Sequence, residues 1–207
     1  MSKREQIVKS FGRYIPYPFV GYVVNLFYQE TVHFKVSKPR RTKLGDYRPA
    51  YKGKPHRITV NADLNPYAFL ITTLHEFAHL HTYLEYGNKV SAHGEEWKQA
   101  FKKLLAPLLS NEALPEDIRQ ALHRSCHKLT AASCTDAQLY RVLKRYDVYS
   151  EGTWLLEDLS NNAKFELGGK LYERGILRRT RYLCKEIHSG RHFLINRLAE
   201  VRLKKED

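Results

Sequence analysis

His75, Glu76 and His79 are the residues of this 207-residue chain whose types and spacing point to chemistry, because they spell H-E-x-x-H. On a helix, positions i and i+4 lie about one turn apart on the same side. Two imidazoles so spaced can converge on one metal ion, with Glu76 beside them to handle a water molecule. A zinc site open for catalysis usually takes three protein ligands and leaves a further position for water. The best third donor is His93, which opens a second helical stretch, HGEEWKQAFKKLLAPLL, after a turn at Gly87-Asn88. Glu85, Glu95 and Glu96 are the alternatives, since a carboxylate also completes a His/His/Glu set. In such a site Glu76 would accept a proton from the attacking water and return it to the departing amine. The metal would stabilise the negative charge that develops on the carbonyl oxygen.

These residues need a helix that is well started and largely buried. Asn65-Pro66 supplies a polar N-cap followed by proline at the first helical position, and Gly87-Asn88 supplies the stop. Between them, Phe69, Leu70, Leu74, Phe77, Ala78 and Leu80 make the helix apolar enough to be mostly buried. Imidazoles in such surroundings need partners to offset desolvation, and a metal is one. Antiparallel packing of the second helix returns His93 toward the His75/His79 face and sets Trp97 against the first helix, with Gly94 permitting close approach. His81 points away from the site, and spacing alone assigns Tyr83 and Tyr86 no role. The chain does not continue as H-x-x-G-x-x-H, because Thr82 and Glu85 stand where the glycine and third histidine would be. The metzincin ligand arrangement is therefore excluded.

Upstream, Ile7, Phe11 and Ile15 mark a helix face, and Pro16 and Pro18 divide it from a later helix. Val32, Phe34 and Val36 alternate with polar neighbours as a half-buried strand, and Arg57–Val60 reads as a second strand. A basic connection between them carries Arg40, Arg41, Lys43 and Arg48. If the edge of this small sheet is open beside the cleft, an extended peptide could pair with it. Downstream, helical patterns run from Leu114 to about His127 and from Leu139 to Tyr146, and residues 147–162 read as a polar connection. Cys126, His127 and Cys134 lack zinc-finger spacing and read as core and cap positions. From Ala163 on, Gly168-Gly169, Gly175 and Ser189-Gly190 punctuate three to five antiparallel strands. Arg174, Arg178, Arg179, Arg181 and Arg191, interspersed with Tyr172, Tyr182 and Phe193, are candidate phosphate and base contacts, the alternative being a solvated basic sheet face.

Composition sets outer bounds. The net charge is +13, and it is unevenly spread: 13 Lys/Arg against 3 Asp/Glu over residues 1–60, 10 against 13 over 61–162, and 12 against 6 over 163–207. A mildly acidic middle flanked by basic segments suits a polyanionic partner such as nucleic acid. Three cysteines are too few and too scattered for a disulfide framework. No leader pattern and no long apolar run is visible, so the expectation is a cytoplasmic protein without a membrane partner.

The chain resembles the SprT-like zinc metalloproteases, which include bacterial SprT proteins and the catalytic domain of the Spartan proteases. The resemblance rests on HEFAH at 75–79, H-G-x-x-W at His93–Trp97, the segment RTKLGDYR at Arg41–Arg48, and HRITVN just before the helix. It covers about residues 5–110. It implies one Zn2+ per chain on His75, His79 and His93, Glu76 as catalytic acid/base, and a polypeptide substrate, which in Spartan-like members is crosslinked or bound to DNA. Many SprT-like proteins end in a cysteine-rich zinc ribbon. Here Cys184 stands with His188 and His192 alone, so the ribbon is degenerate, although a metal site on those three remains an option. The expected fold is α+β: a zincin-like helical core with a small N-terminal antiparallel sheet (1–110), a helical extension and connection (111–162), and a basic β-rich subdomain (163–207).

Overall fold

A computed structural model describes residues 2–40, 42–127, 137–147 and 152–204. The chain divides into two compact units, Met1–Asp147 and Val148–Asp207.

The first unit is built on one long helix. Helices α1 (Lys3–Phe11) and α2 (Tyr17–Gln29) are separated at Pro16 and lead into strands β1 (Val32–Ser37), β2 (Gly45–Arg48) and β3 (His56–Asn61). There follow α3 (Pro66–Tyr86), α4 (Glu95–Leu109), α5 (Glu116–His127) and α6 (Ala137–Lys144). Asn65 caps α3 as its sequence suggests: its side-chain oxygen accepts from the amides of Tyr67 and Ala68 at 3.1 and 2.9 Å. The Asn65 side-chain amide ties this helix start to Leu143 O at 2.9 Å and to Asp147 at 2.6 Å. At the other end Gly87 takes φ 62°, a conformation glycine adopts without Cβ strain. Thirteen of the 21 residues of α3 are buried, so the helix is packed on most of its faces. Phe27 joins the elements around it, with Phe11, Phe34 and Phe77 rings 4.8 to 5.0 Å away. Leu114, Ile118, Ala121, Leu122, Leu139 and Val142 bring α5 and α6 into the same core.

The sheet order is β1-β3-β2. The two strands expected from the sequence, β1 and β3, run parallel, and the antiparallel pairing is made instead by β2 with β3, so the sheet is mixed. The reason is local: a tight turn at Lys52-Gly53, both at positive φ, folds β2 back onto one edge of β3 and leaves the other edge to β1. Strand β2 lies within the stretch read as a basic connection. It lacks apolar alternation and is held by pairing and by Asn61, which is 1% exposed. Asn61 accepts from Arg40 Nε at 2.7 Å and donates to the carbonyls of Arg40 and Lys43 at 3.1 and 3.0 Å, fixing the approach to β2.

The second unit is a seven-stranded antiparallel sheet: β4 (Thr153–Leu155), β5 (Lys164–Leu167), β6 (Lys170–Glu173), β7 (Leu177–Arg178), β8 (Arg181–Glu186), β9 (His192–Asn196) and β10 (Glu200–Leu203). Strand β4 falls in the expected polar connection and exists because β10 pairs with it, Val201 opposite Trp154. Leu156, Phe165, Tyr172, Tyr182, Cys184, Ile195 and Val201 form a small core of their own.

Candidate metal centre

Helix α3 delivers two imidazoles and the loop before α4 delivers the third. His75 Nε2 lies 3.2 Å from His79 Nε2 and 3.2 Å from His93 Nε2. The ligating atoms of the three all fall within 4.8 Å of one another, and this is the one such group found among the described residues. Four ligands at zinc–nitrogen distances of about 2.0–2.1 Å stand about 3.3 Å apart around a tetrahedron, so this donor set fits zinc. Burial, then the charges of His79 and His93, pushes His75 down to about 2. Burial and His93 push His79 down to about 4, and burial lowers His93. All three are thus neutral at physiological pH, the state in which imidazole binds a metal.

His93 reaches this place by a route the sequence did not show. Helix α4 begins at Glu95 with Gly94 as its N-cap, so His93 lies in the preceding turn. It adopts φ 66°, a left-handed conformation uncommon for a residue with a Cβ, and such local strain concentrates at functional sites. Gly94 is tight against its own loop, since a Cβ there would sit 3.0 Å from Ser91 O. Trp97, 1% exposed, packs its ring 4.7 Å from His75, 5.3 Å from His79 and 4.7 Å from His93. Of the alternative donors, Glu95 pairs with Lys98 at 2.6 Å, and neither it, Glu85 nor Glu96 joins the histidine group. His81 lies 3.6 Å from Glu30 and is outside the group as well.

Glu76 is 5% exposed. Burial and the charge of Asp46 raise it to about 8, against the Tyr47 backbone amide, Arg40 and Lys43, which favour its ionised form. A carboxyl so placed can both accept and return a proton near neutral pH. Its surroundings come from β2, which sequence reasoning did not connect to the site. A Cβ on Gly45 would meet Glu76 Oε1 at 2.3 Å. The Tyr47 ring lies parallel to His79 at 6.5 Å, and its hydroxyl is 2.8 Å from His56 Nδ1. Tyr83 completes this aromatic group, 6.2 Å from Tyr47 and 5.7 Å from His56. Strand β2 is an edge of the sheet, and the Tyr47 backbone amide donates to Glu76.

The candidate phosphate contacts are dispersed. Arg40 is drawn into the sheet by Asn61 and Thr59, and Lys43 and Arg48 pair with Asp46 at 2.7 and 3.0 Å. Arg41 lies outside the described residues, as does Cys134. Arg174 is 8% exposed: its guanidinium donates to Leu159 O, Asn161 and the Tyr182 hydroxyl and lies 4.0 Å over the Tyr182 ring. Arg178, Arg179 and Arg181 are exposed together at the β7–β8 turn, while Arg191 is exposed beyond the opposite end of β8. Cys184 is fully buried and His188 and His192 are exposed, so those three do not form a metal group.

Residues 19–120 match the profile of the SprT-like family. They form a SprT-like domain. The match runs from within α2 to within α5, includes the three histidines and leaves the second unit outside it. The family and the clustered histidines together support a protease-like function. No curated protein and no solved structure matches the chain. No helix among the described residues is long and apolar enough to cross a membrane.

Proposed function

We propose that the SprT-like domain is a zinc-dependent endopeptidase, acting on polypeptides that include DNA-associated or DNA-crosslinked proteins. The observation that carries this reading is the convergence of three neutral imidazoles, with Glu76 buried beside two of them on the same helix. His75, His79 and His93 would hold the zinc, which when bound supplies a Lewis acid for the scissile carbonyl. Glu76 takes the proton of the attacking water and delivers it to the departing amine. Trp97 keeps bulk water from the back of the histidines. The DNA part of the reading draws on the basic segments flanking the domain and on the exposed arginines of the second unit.

The test compares the zinc-loaded chain with Glu76→Gln on a protein substrate, free and bound to DNA. Cleavage by the wild type and a loss of about 10²- to 10⁴-fold in the variant are expected. No Glu76-dependent cleavage across a broad substrate panel removes the peptidase reading. Retained zinc with unchanged biological activity in the variant would instead favour a structural or DNA-binding module. Cleavage indifferent to DNA would leave a DNA-independent peptidase.

A further inference from the structure

We infer that Gly45 and Tyr47 of β2 are positioning residues for Glu76: β2 is the wall against which the carboxylate is set, and it rests on the peptidase reading above only for its consequence in catalysis.

Gly45 carries the first part of the argument. Gly53 and Gly87 take positive φ, but Gly45 does not, so its backbone is one that any residue can adopt. What excludes a side chain is space. A Cβ at Gly45 would lie 2.3 Å from Glu76 Oε1 and 2.8 Å from both Cδ and Cγ, well inside van der Waals contact. Glu76 is 5% exposed and lacks open solvent to swing into, so the clash would displace the carboxylate. Glycine here holds room for one functional group.

Tyr47 carries the second part. It lies two residues along the same strand from Gly45, and its backbone amide donates a hydrogen bond to the Glu76 carboxylate. The strand cannot drift, because Gly45 and Tyr47 are in register with Val60 and Ile58 of β3, both fully buried. The Tyr47 side chain anchors the same residue. His56 Nδ1 accepts from the Ala50 amide at 3.2 Å, which makes it an acceptor for the Tyr47 hydroxyl at 2.8 Å too. The ring fixed in this way lies parallel to His79. One short strand therefore meets both Glu76 and a metal-binding candidate.

The experiment uses the full zinc-loaded chain. Because a 1 Å misplacement costs about 100-fold, Gly45→Ala is expected to lower kcat by about that factor, with KM and zinc affinity within about threefold of wild type. Tyr47→Phe keeps the ring and the amide and is expected to lose only about fivefold, the worth of one neutral hydrogen bond. A stability cycle reads the contact without catalysis: Gly45→Ala should lower Tm in the wild type but not in Glu76→Ala, where the clashing side chain is gone. A zinc-loaded Gly45→Ala with kcat within about threefold of wild type, or the same Tm change in both backgrounds, overturns the inference. A wild type without Glu76-dependent cleavage but with a non-additive cycle breaks the peptidase reading and leaves the positioning standing.

Discussion

The two units of this chain treat polar groups in opposite ways. In Met1–Asp147 a large core surrounds α3, and His75 and Glu76 are sunk into it with their ionisation displaced first by burial and then by neighbours, His79 and His93 for the imidazole and Asp46 for the carboxyl. In Val148–Asp207 the core is small, and Arg174, the one buried cation among its described residues, donates to Leu159 O, Asn161 and Tyr182. Its other arginines at the β7–β8 turn lie in water. Chemistry needs desolvated groups whose ionisation is displaced, and the larger apolar core of the first unit holds His75 and Glu76 in that state. The second unit offers a basic surface on a self-sufficient sheet.

The sharpest way to break this contrast is His75→Ala, which should remove the roughly one zinc per chain expected and abolish cleavage, read by metal analysis and peptidase assay. Stoichiometric zinc in that variant would refute the ligand set. Next, Phe165→Ala deletes a fully buried ring stacked 5.6 Å from Tyr172. It should cost the second unit about 3–5 kcal/mol in denaturant titration while zinc content stays at the wild-type value. Zinc loss in Phe165→Ala would show that the units are not energetically separate. Arg174→Met leaves the Tyr182 hydroxyl and the Leu159 carbonyl without their donor, for about 1–3 kcal/mol by the same titration. It should leave affinity for DNA unchanged, the result that separates a buried arginine from a surface one. Smallest in stability is the triple change of Arg178, Arg179 and Arg181 to Ala, expected within about 0.5 kcal/mol of wild type. If this turn meets phosphates, DNA affinity falls and its salt dependence flattens by up to about three charges; unchanged binding would make the turn a solvated face.

Much of the site was legible because its signals are local. Capping at Asn65-Pro66, the stop at Gly87 and the i, i+4 spacing of His75 and His79 act within one helix, and the structure follows them. His93 was legible by chemistry, since a third neutral donor was wanted, but its left-handed turn before Glu95 was not. The five C-terminal arginines looked equivalent in sequence, and only the sheet distinguishes Arg174 inside from Arg178, Arg179 and Arg181 at one turn and Arg191 at the other end. Strands β2 and β4 carry too few apolar residues for a period-two signal and form because β3 and β10 offer them an edge.

The sequence by itself therefore determined which groups are the candidates for chemistry and which helix carries two of the three histidines and Glu76, because residue type and helical period are encoded over a few residues. The tertiary structure alone decided what stands against them. That Gly45 leaves room for Glu76, 31 positions away, and that Tyr47 lies along His79 depend on how β2 is laid beside α3. Such contacts join segments whose separation in sequence carries no periodic trace, and they form only when the core brings those segments together.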